Sequence, residues 1–203
     1  LYQDCQWLQP IGTSPTTHIF KTQIGHLPNG IDLSNSVENE FYCLKLMEAF
    51  GFNVNKVEMK IFGNTKTLVI ERFDRLWAKD GRLLRIPQED CCQSLSIPPS
   101  LKYQNQGGPG IVNILKLLNG SDEAFQDKKI FLKSQILFWI MGATDGHAKN
   151  FSIFLYPEAH YRLTPIYDVL TAQPNFDANQ LQLKNMKLAM SFGDKRHYKI
   201  SEI

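Results

Sequence analysis

Trp139-Ile-Met-Gly-Ala-Thr-Asp-Gly-His-Ala-Lys-Asn-Phe-Ser-Ile-Phe-Leu-Tyr156 opens on an apolar helical run that stops at Gly142. A polar loop then presents Asp145, His147, Lys149 and Asn150. A β-type run, Phe151 to Tyr156, leaves the loop, and a second short one, Tyr161 to Leu163, delivers Asp168 at the end of Arg162-Leu-Thr-Pro-Ile-Tyr-Asp168. The order helix, polar loop, hairpin, acid has a chemical reading. A phosphoryl-transfer site needs one carboxylate to orient the attacking hydroxyl and two oxygen ligands to hold magnesium on the phosphates. Asp145 and Asn150 stand in the D-x-x-x-x-N spacing that kinase catalytic loops use for the base and one metal ligand, and Asp168 falls where kinases place the second. His147 makes the loop D-x-H-x-x-N, a form closer to lipid-kinase-like enzymes than to the H-R-D loop of ordinary protein kinases. The plainer reading is a polar turn, with Asp145 and Asn150 serving turn hydrogen bonds and Asp168 a cap. Three elements in this order, with the loop trapped between apolar runs, favour the chemical reading.

Around this stretch the chain has 203 residues, 43% of them hydrophobic, enough for a substantial core in one domain or two small lobes. Lys and Arg number 22 against 20 Asp and Glu, which gives no electrostatic reason for direct nucleic-acid binding. Any contact with DNA is expected to run through a partner. Cys5, Cys43, Cys91 and Cys92 make neither a zinc pattern nor a disulfide framework, and a reducing cytoplasm fits them best. No run reaches the roughly 18 apolar residues of a membrane span, and no signal segment is legible, so a soluble protein with no membrane partner is expected. The lack of an initiator methionine and the abrupt ending at Ile203 suggest a piece of a longer chain.

Taken in order, residues 1 to 15 are polar and turn-rich, and Thr16 to Gly25 reads as a strand carrying Lys21. Asn35-Ser-Val-Glu38 has the cap-then-acid order of a helix start. Val37, Phe41, Leu44, Met47 and Phe50 follow at helical spacing until Gly51 stops the run. Val57, Met59 and Ile61 alternate, Gly63-Asn64 turns, and Thr67 to Arg72 returns, which makes a hairpin. Asp80-Gly81 marks a further turn, Leu83 to Ile86 is a short apolar segment, and Pro87 to Leu95 reads as a helical turn holding the adjacent cysteines, of which one or both are buried. Ser96 to Gly110 is loop, Ile111 to Leu118 a short helix, and Asp127 to Met141 a longer one with a wide apolar face. Val169 to Leu183 is loop-like, and Lys184 to Met190 fits strand or helix equally.

Ile140 to Phe154 and Tyr161 to Asp168 closely resemble the HipA family of bacterial toxin-antitoxin serine/threonine kinases. So do Val69-Ile-Glu-Arg-Phe-Asp-Arg75 and Leu84-Arg-Ile-Pro-Gln-Glu-Asp90. The resemblance runs from about Pro15 to about Met190. It implies an α+β, two-lobed, protein-kinase-like fold with both lobes incomplete. Residues 1–75 form a small β-rich N-terminal part ending in the hinge, and 76–203 a mainly helical C-terminal part. ATP and Mg2+ are the implied cofactors. Asp145 becomes the catalytic carboxylate, and Asn150 and Asp168 the metal ligands. The implied nucleotide-binding set is Lys21, the hinge residues Glu71, Arg72 and Phe73, then His147, Ala148, Lys149, Asn150, Tyr167 and Asp168. Pattern alone makes Lys21 a solvent-facing strand lysine. Kinases hold their phosphate lysine with a helix glutamate, and Glu40 is chosen over Glu38, either of which is otherwise an acid favoured by the helix dipole. The implied partners are a helix-turn-helix (HipB-like) antitoxin, with DNA reached through it, and a protein substrate of the translation apparatus such as an aminoacyl-tRNA synthetase, with growth arrest as the outcome.

Kinases cover the triphosphate with a backbone-donating loop upstream of the phosphate lysine, and the twenty residues before Lys21 hold only Gly12. The isolated chain is therefore expected to bind ATP poorly and transfer phosphate negligibly. A second hypothesis makes it a catalytically incompetent module gripped by the antitoxin in a repressor complex. A third, a metal-dependent phosphoesterase suggested by Asp145-Gly-His147, lacks the later motifs that such sites need.

Overall fold

The structure, a computed structural model, describes residues 1–193 and 197–202. Two short strands, β1 (Tyr2–Gln3) and β2 (Gln6–Trp7), form a hairpin where the sequence reads as irregular. Next come β3 (His18–Thr22), the two-residue strands β4 (Gly25–His26) and β5 (Asp32–Leu33), α1 (Ser36–Ala49), β6 (Val57–Phe62) and β7 (Thr65–Glu71). Strands β3, β7 and β6 make an antiparallel sheet in that order, with Lys21 opposite Leu68 and Leu68 opposite Met59. Because side chains alternate across a sheet, Val57, Leu68 and Ile70 share one face and join Leu44 and Met47 of α1 in the core. Phe20 and Phe62 stack on the other face with centroids 5.0 Å apart, and Trp7 of β2 covers them. Met59, Ile61 and Phe50, expected inside from their spacing, are exposed because they lie past the edge of the α1–sheet contact.

The predicted cap of α1 does not form: Asn35 makes no side-chain cap hydrogen bond. Gln23 supplies the acceptor instead, taking the Val37 N–H at 2.9 Å, while Glu38 is held by Gln23 and Lys66.

The second half is less helical than expected. A hairpin, β8 (Arg75–Trp77) and β9 (Leu83–Arg85), turns at Asp80-Gly81. Then β10 (Gln88–Asp90) pairs not with a neighbour but with β11 (Ser152–Leu155), which pairs in turn with β12 (Tyr161–Leu163). Helix α2 (Cys91–Ser94) is a single turn with an Asp90/Gln93 capping box, and it buries both Cys91 and Cys92. After α3 (Ile111–Leu117), α4 (Ala124–Met141) is the one long helix of this half among the described residues. Helix α5 (Gln173–Asp177) is short, and β13 (Lys187–Phe192) pairs with β14 (His197–Lys199), which settles the segment left open between strand and helix. The prediction of a mainly helical part thus gives way to a mixed one, because three-residue strands paired across long separations leave no periodic trace.

Helix α4 buries Phe131, Leu137 and Phe138, and Phe131 packs edge-on to Phe151 at 4.9 Å. Each such side chain contributes about 1.5–3 kcal/mol by leaving water. Gly142 ends the helix at φ +67, the left-handed cap a glycine adopts without penalty, and the Ala143 N–H closes onto the Phe138 carbonyl at 2.8 Å. Backbone bonds tie the two halves together. Val54 makes a parallel bridge to Ile166, the Ile166 N–H donates to the Asn53 carbonyl at 2.9 Å, and the Asn39 side chain exchanges two hydrogen bonds with the Thr171 backbone. No helix among the described residues is long and apolar enough to cross a membrane.

Candidate active site

Strand β3 projects Lys21 across the sheet face toward α1. Its ammonium donates to both oxygens of Glu40, at 2.8 and 3.0 Å, and to Asp168 Oδ1 at 2.5 Å. Burial pulls the Lys21 pKa down, but the two carboxylates more than offset it, and the group is an ammonium at neutral pH. Glu40 is nearly fully buried on the second turn of α1; burial raises its pKa, and the attraction of Lys21 only partly restores it. One cation thus serves two anions that come from a strand's partner helix and from the far end of the chain.

Lys21, Glu40 and Asp168 stand at one end of a cavity of about 370 Å³. The other end is the turn that leaves β7. Glu71 is engaged there already: its N–H donates to the Lys56 carbonyl at 2.9 Å and its carbonyl accepts from Asn55 Nδ2 at 3.0 Å. The Arg72 N–H donates to the Thr17 carbonyl at 2.9 Å. Among the described residues, no hydrogen bond reaches the Arg72 carbonyl or the Phe73 N–H, and both residues line the cavity. The Arg72 guanidinium is turned onto Asp74 in a two-pronged pair at 2.9 and 2.8 Å, which Arg75 joins at 2.6 Å. Phe73 and Tyr167 form an aromatic wall with centroids 5.7 Å apart. The Tyr167 phenol, held at 2.5 Å from Ser152 Oγ and donating to the Lys149 carbonyl at 2.9 Å, is fixed by the loop it faces. Lys149 itself pairs with Asp90 at 2.6 Å on the cavity wall.

The D-x-H-x-x-N loop lies behind this wall. Its spacing has a direct physical basis: Asn150 Nδ2 reaches back to the Asp145 carbonyl at 2.8 Å, closing the loop on itself, and also approaches the Asp168 carbonyl at 3.4 Å. With its NH2 so committed, Asn150 has its Oδ1 left for a cation. Asp168 sits at φ +58, a left-handed conformation rarely adopted by residues other than glycine. Asp145 is half exposed, and its Oδ1 accepts from the Tyr103 hydroxyl and lies 3.8 Å from His147 Nε2. His147 is buried, and burial lowers its pKa despite Asp145, so the imidazole is neutral.

Of the residues chosen from sequence, Lys21, Arg72, Phe73, Lys149, Tyr167 and Asp168 line the cavity. Glu71, Asp145, His147, Ala148 and Asn150 do not. Ala148 is wholly buried in the core, and the Glu71 carboxylate pairs outward with Lys56. Sequence reasoning missed Asn55, Asp74 and Tyr103. Asp74 is the fourth residue of Glu-Arg-Phe-Asp and was available to a closer reading. Tyr103 sits in a loop with no periodic signal at all. Among the described residues, no three His, Cys, Asp or Glu side chains gather into a metal cage. The Asp168 carboxylate and the Asn150 amide oxygen suit magnesium, a hard cation that takes oxygen ligands and keeps several waters.

A strand lysine paired to a helix glutamate, an unpaired backbone carbonyl and N–H where the chain leaves β7, and a D-x-H-x-x-N loop beside a later aspartate are the elements of a kinase-like fold. The chain belongs to the HipA-like C-terminal domain family, whose model matches residues 3–202. It is 35% identical over 187 residues to a putative kinase of Sinorhizobium fredii, covering 92% of this chain and 41% of that one. It is 31% identical over 197 residues to the serine/threonine-protein kinase toxin HipA of Shewanella oneidensis, covering 91% and 42%. Among solved structures, the Shewanella oneidensis HipA, HipB and operator DNA complex matches with TM-score 0.76 and 27% identity over 93% of this chain and 43% of that chain. The Helicobacter pylori proinflammatory kinase CtkA matches in fold alone, with TM-score 0.61 and 14% identity over 89% and 65%. The chain spans about two fifths of the length of the curated relatives it matches.

Proposed function

We propose that this chain is the core of a serine/threonine protein kinase of a toxin-antitoxin pair, with residues 1–75 and 76–203 as parts of two lobes around the Lys21 cavity. The observation that carries it is the Lys21 ammonium shared between buried Glu40 and Asp168 at the end of a cavity closed by the 72–73 turn. ATP supplies the phosphoryl group, and magnesium shields its charge. The remaining roles belong to the chain. The Arg72 carbonyl and Phe73 N–H orient the base, with Phe73 and Tyr167 against its faces. With ATP bound, Lys21 would turn from Asp168 to the phosphates while Glu40 held its direction. Asp168 and Asn150 Oδ1 would hold the metal, with neutral His147 buried in the same loop, and Asp145 would accept the proton of a serine or threonine hydroxyl. The acceptor is a protein, with an aminoacyl-tRNA synthetase the example the family resemblance supplies. A HipB-like antitoxin is the proposed partner, supported by the relative solved with HipB and operator DNA.

Titrating the isotope-labelled 203-residue chain with Mg·ATP and following its amide NMR signals tests the reading. Shifts are expected at Lys21, Phe73 and Tyr167, and they should need at least about tenfold more Mg·ATP in Asp168→Asn. Unmoved signals at these positions at millimolar nucleotide would overturn it.

A further inference from the structure

Asp145 lies outside the Lys21 cavity and beside a second, polar cleft of about 220 Å³. It is lined by Tyr103, Asn105 and Gln106 of one loop, by Lys187, Leu188 and Ala189 of strand β13, and by Thr144, next to Asp145. The phenol of Tyr103, which lines this cleft, donates to Asp145 Oδ1, the oxygen that would receive an acceptor's O–H. Its ring stands edge-on to His147 with centroids 5.0 Å apart.

The loop that aims Tyr103 is rigidly built. Gln104 is clamped to Ser191 by two hydrogen bonds of 2.9 Å, the Ala148 N–H reaches the Lys102 carbonyl at 3.4 Å, and the Gly108 N–H donates to the Tyr103 carbonyl at 3.0 Å. A Cβ on Gly108 would fall 1.9 Å from the Leu101 carbonyl oxygen, so only glycine closes this turn. The backbone therefore stays put while the half-buried Tyr103 side chain has two torsions with which to swing away. Burial first, then Asp145, push the phenol's pKa up, so its O–H remains a donor throughout the neutral range. Asn105 and Gln106 are exposed, and their amides offer the paired donor and acceptor that a peptide backbone takes.

We propose that this cleft is the acceptor site, that it takes a serine- or threonine-bearing polypeptide segment along β13, and that the Tyr103 hydroxyl occupies the acceptor hydroxyl's place on Asp145 until the segment displaces it. The proposal rests on the kinase reading for its purpose but not for its test. Tyr103 is then a gate residue, and Asn105 and Gln106 hold the acceptor's backbone.

The test is amide NMR titration of the chain with acetyl-Ala-Ser-Ala-amide and, as control, acetyl-Ala-Ala-Ala-amide, in the parent and in Tyr103→Phe and Asn105→Ala. The serine peptide should shift Tyr103, Gln106 and Thr144 and bind more tightly than the alanine peptide. Removing the phenol oxygen should tighten the serine peptide about three- to tenfold, because a charge-assisted competitor is gone. Asn105→Ala should weaken both peptides, and Mg·ATP shifts at Lys21 should be the same in all three proteins. Equal binding of the two peptides, or a Tyr103→Phe protein that binds the serine peptide no better, would overturn the acceptor assignment. Peptide shifts at the cleft without Mg·ATP shifts at Lys21 would uphold the cleft and remove the phosphotransfer reading instead.

Discussion

Asp168 combines the charge that Lys21 pairs with, and that the proposed metal would take, with a backbone conformation that costs most residues about 1 kcal/mol or more. Asparagine tolerates the left-handed region nearly as well as aspartate, whereas alanine does not. Asp168→Asn should therefore keep its melting temperature near the parent's while losing Mg·ATP affinity. Asp168→Ala should lose the same affinity and be less stable by about 1 kcal/mol in urea unfolding. A difference in affinity but none in stability between the two variants would show that the backbone strain is not felt. Asp145 presents the opposite case. It does not line the Lys21 cavity, so on the kinase reading Asp145→Asn should leave Mg·ATP shifts unchanged and lower transfer by the longer protein about 10²- to 10⁴-fold in a radiolabel assay. At this scale the spacing of Asp145, Asn150 and Asp168 was readable because each is fixed by its neighbours along the chain. The Lys21–Glu40 pair is an encounter between a strand and a helix, and the residues alone favoured Glu40 over Glu38 only weakly.

The D-x-H-x-x-N loop runs so close over α4 that a Cβ on Gly146 would fall 2.5 Å from Phe138 Cδ2, a buried ring already packed against Phe151. Gly146→Ala should cost about 1–3 kcal/mol, and calorimetry should show the melting temperature falling by about 2–4 °C per kcal/mol. The turn leaving β7 depends instead on charge. Burial raises the Asp74 carboxyl, but Arg72 and Arg75 outweigh it and hold the pKa below its ordinary 3.8. The sign follows from the depressed value. The stabilisation is present above the unfolded pKa and disappears as pH falls through the folded one. The stability gap between the parent and Asp74→Asn should therefore be constant near neutrality and shrink below about pH 4. A gap that widens on acidification would show that the arginines do not set the carboxyl. Helices α1 and α4 and the β6–β7 hairpin were legible because each runs long enough to show its period. Strands β1, β2 and β10 have two or three residues apiece, and β10 finds its partner, β11, only after α2, α3 and α4 have intervened. The α1 cap was misread for a related reason. Gln23, just past β3, took the place that Asn35 would have filled, and no local motif announces a cap supplied from another element.

For the molecule as a whole, the cysteines give a direct measure of how tightly the core is closed. Cys5 is exposed, whereas Cys43, Cys91 and Cys92 are buried, and burial pushes the Cys43 thiol up to about 11. Ellman's reagent at neutral pH should find one fast thiol of the four, with the others appearing only on denaturation. Two or more fast thiols would mean that the α1 and α2 packing opens readily. The ties between Asn53–Asn55 and Ile166, and between Asn39 and Thr171, bear on the same question. A body joined to its neighbour by one covalent strap at residues 72–75 is free to swing like a gate on a pin. Here two further fastenings, made far away in sequence, hold the segment that carries Asp168 to helix α1 and to the loop between α1 and β6, which pack on the sheet that carries Lys21. The joint behaves as a bolted bracket: the distance between the backbones of Lys21 and Asp168 is set by the frame while their side chains remain free to turn, and deuterium reaches the Ile166 amide only when the frame itself comes apart.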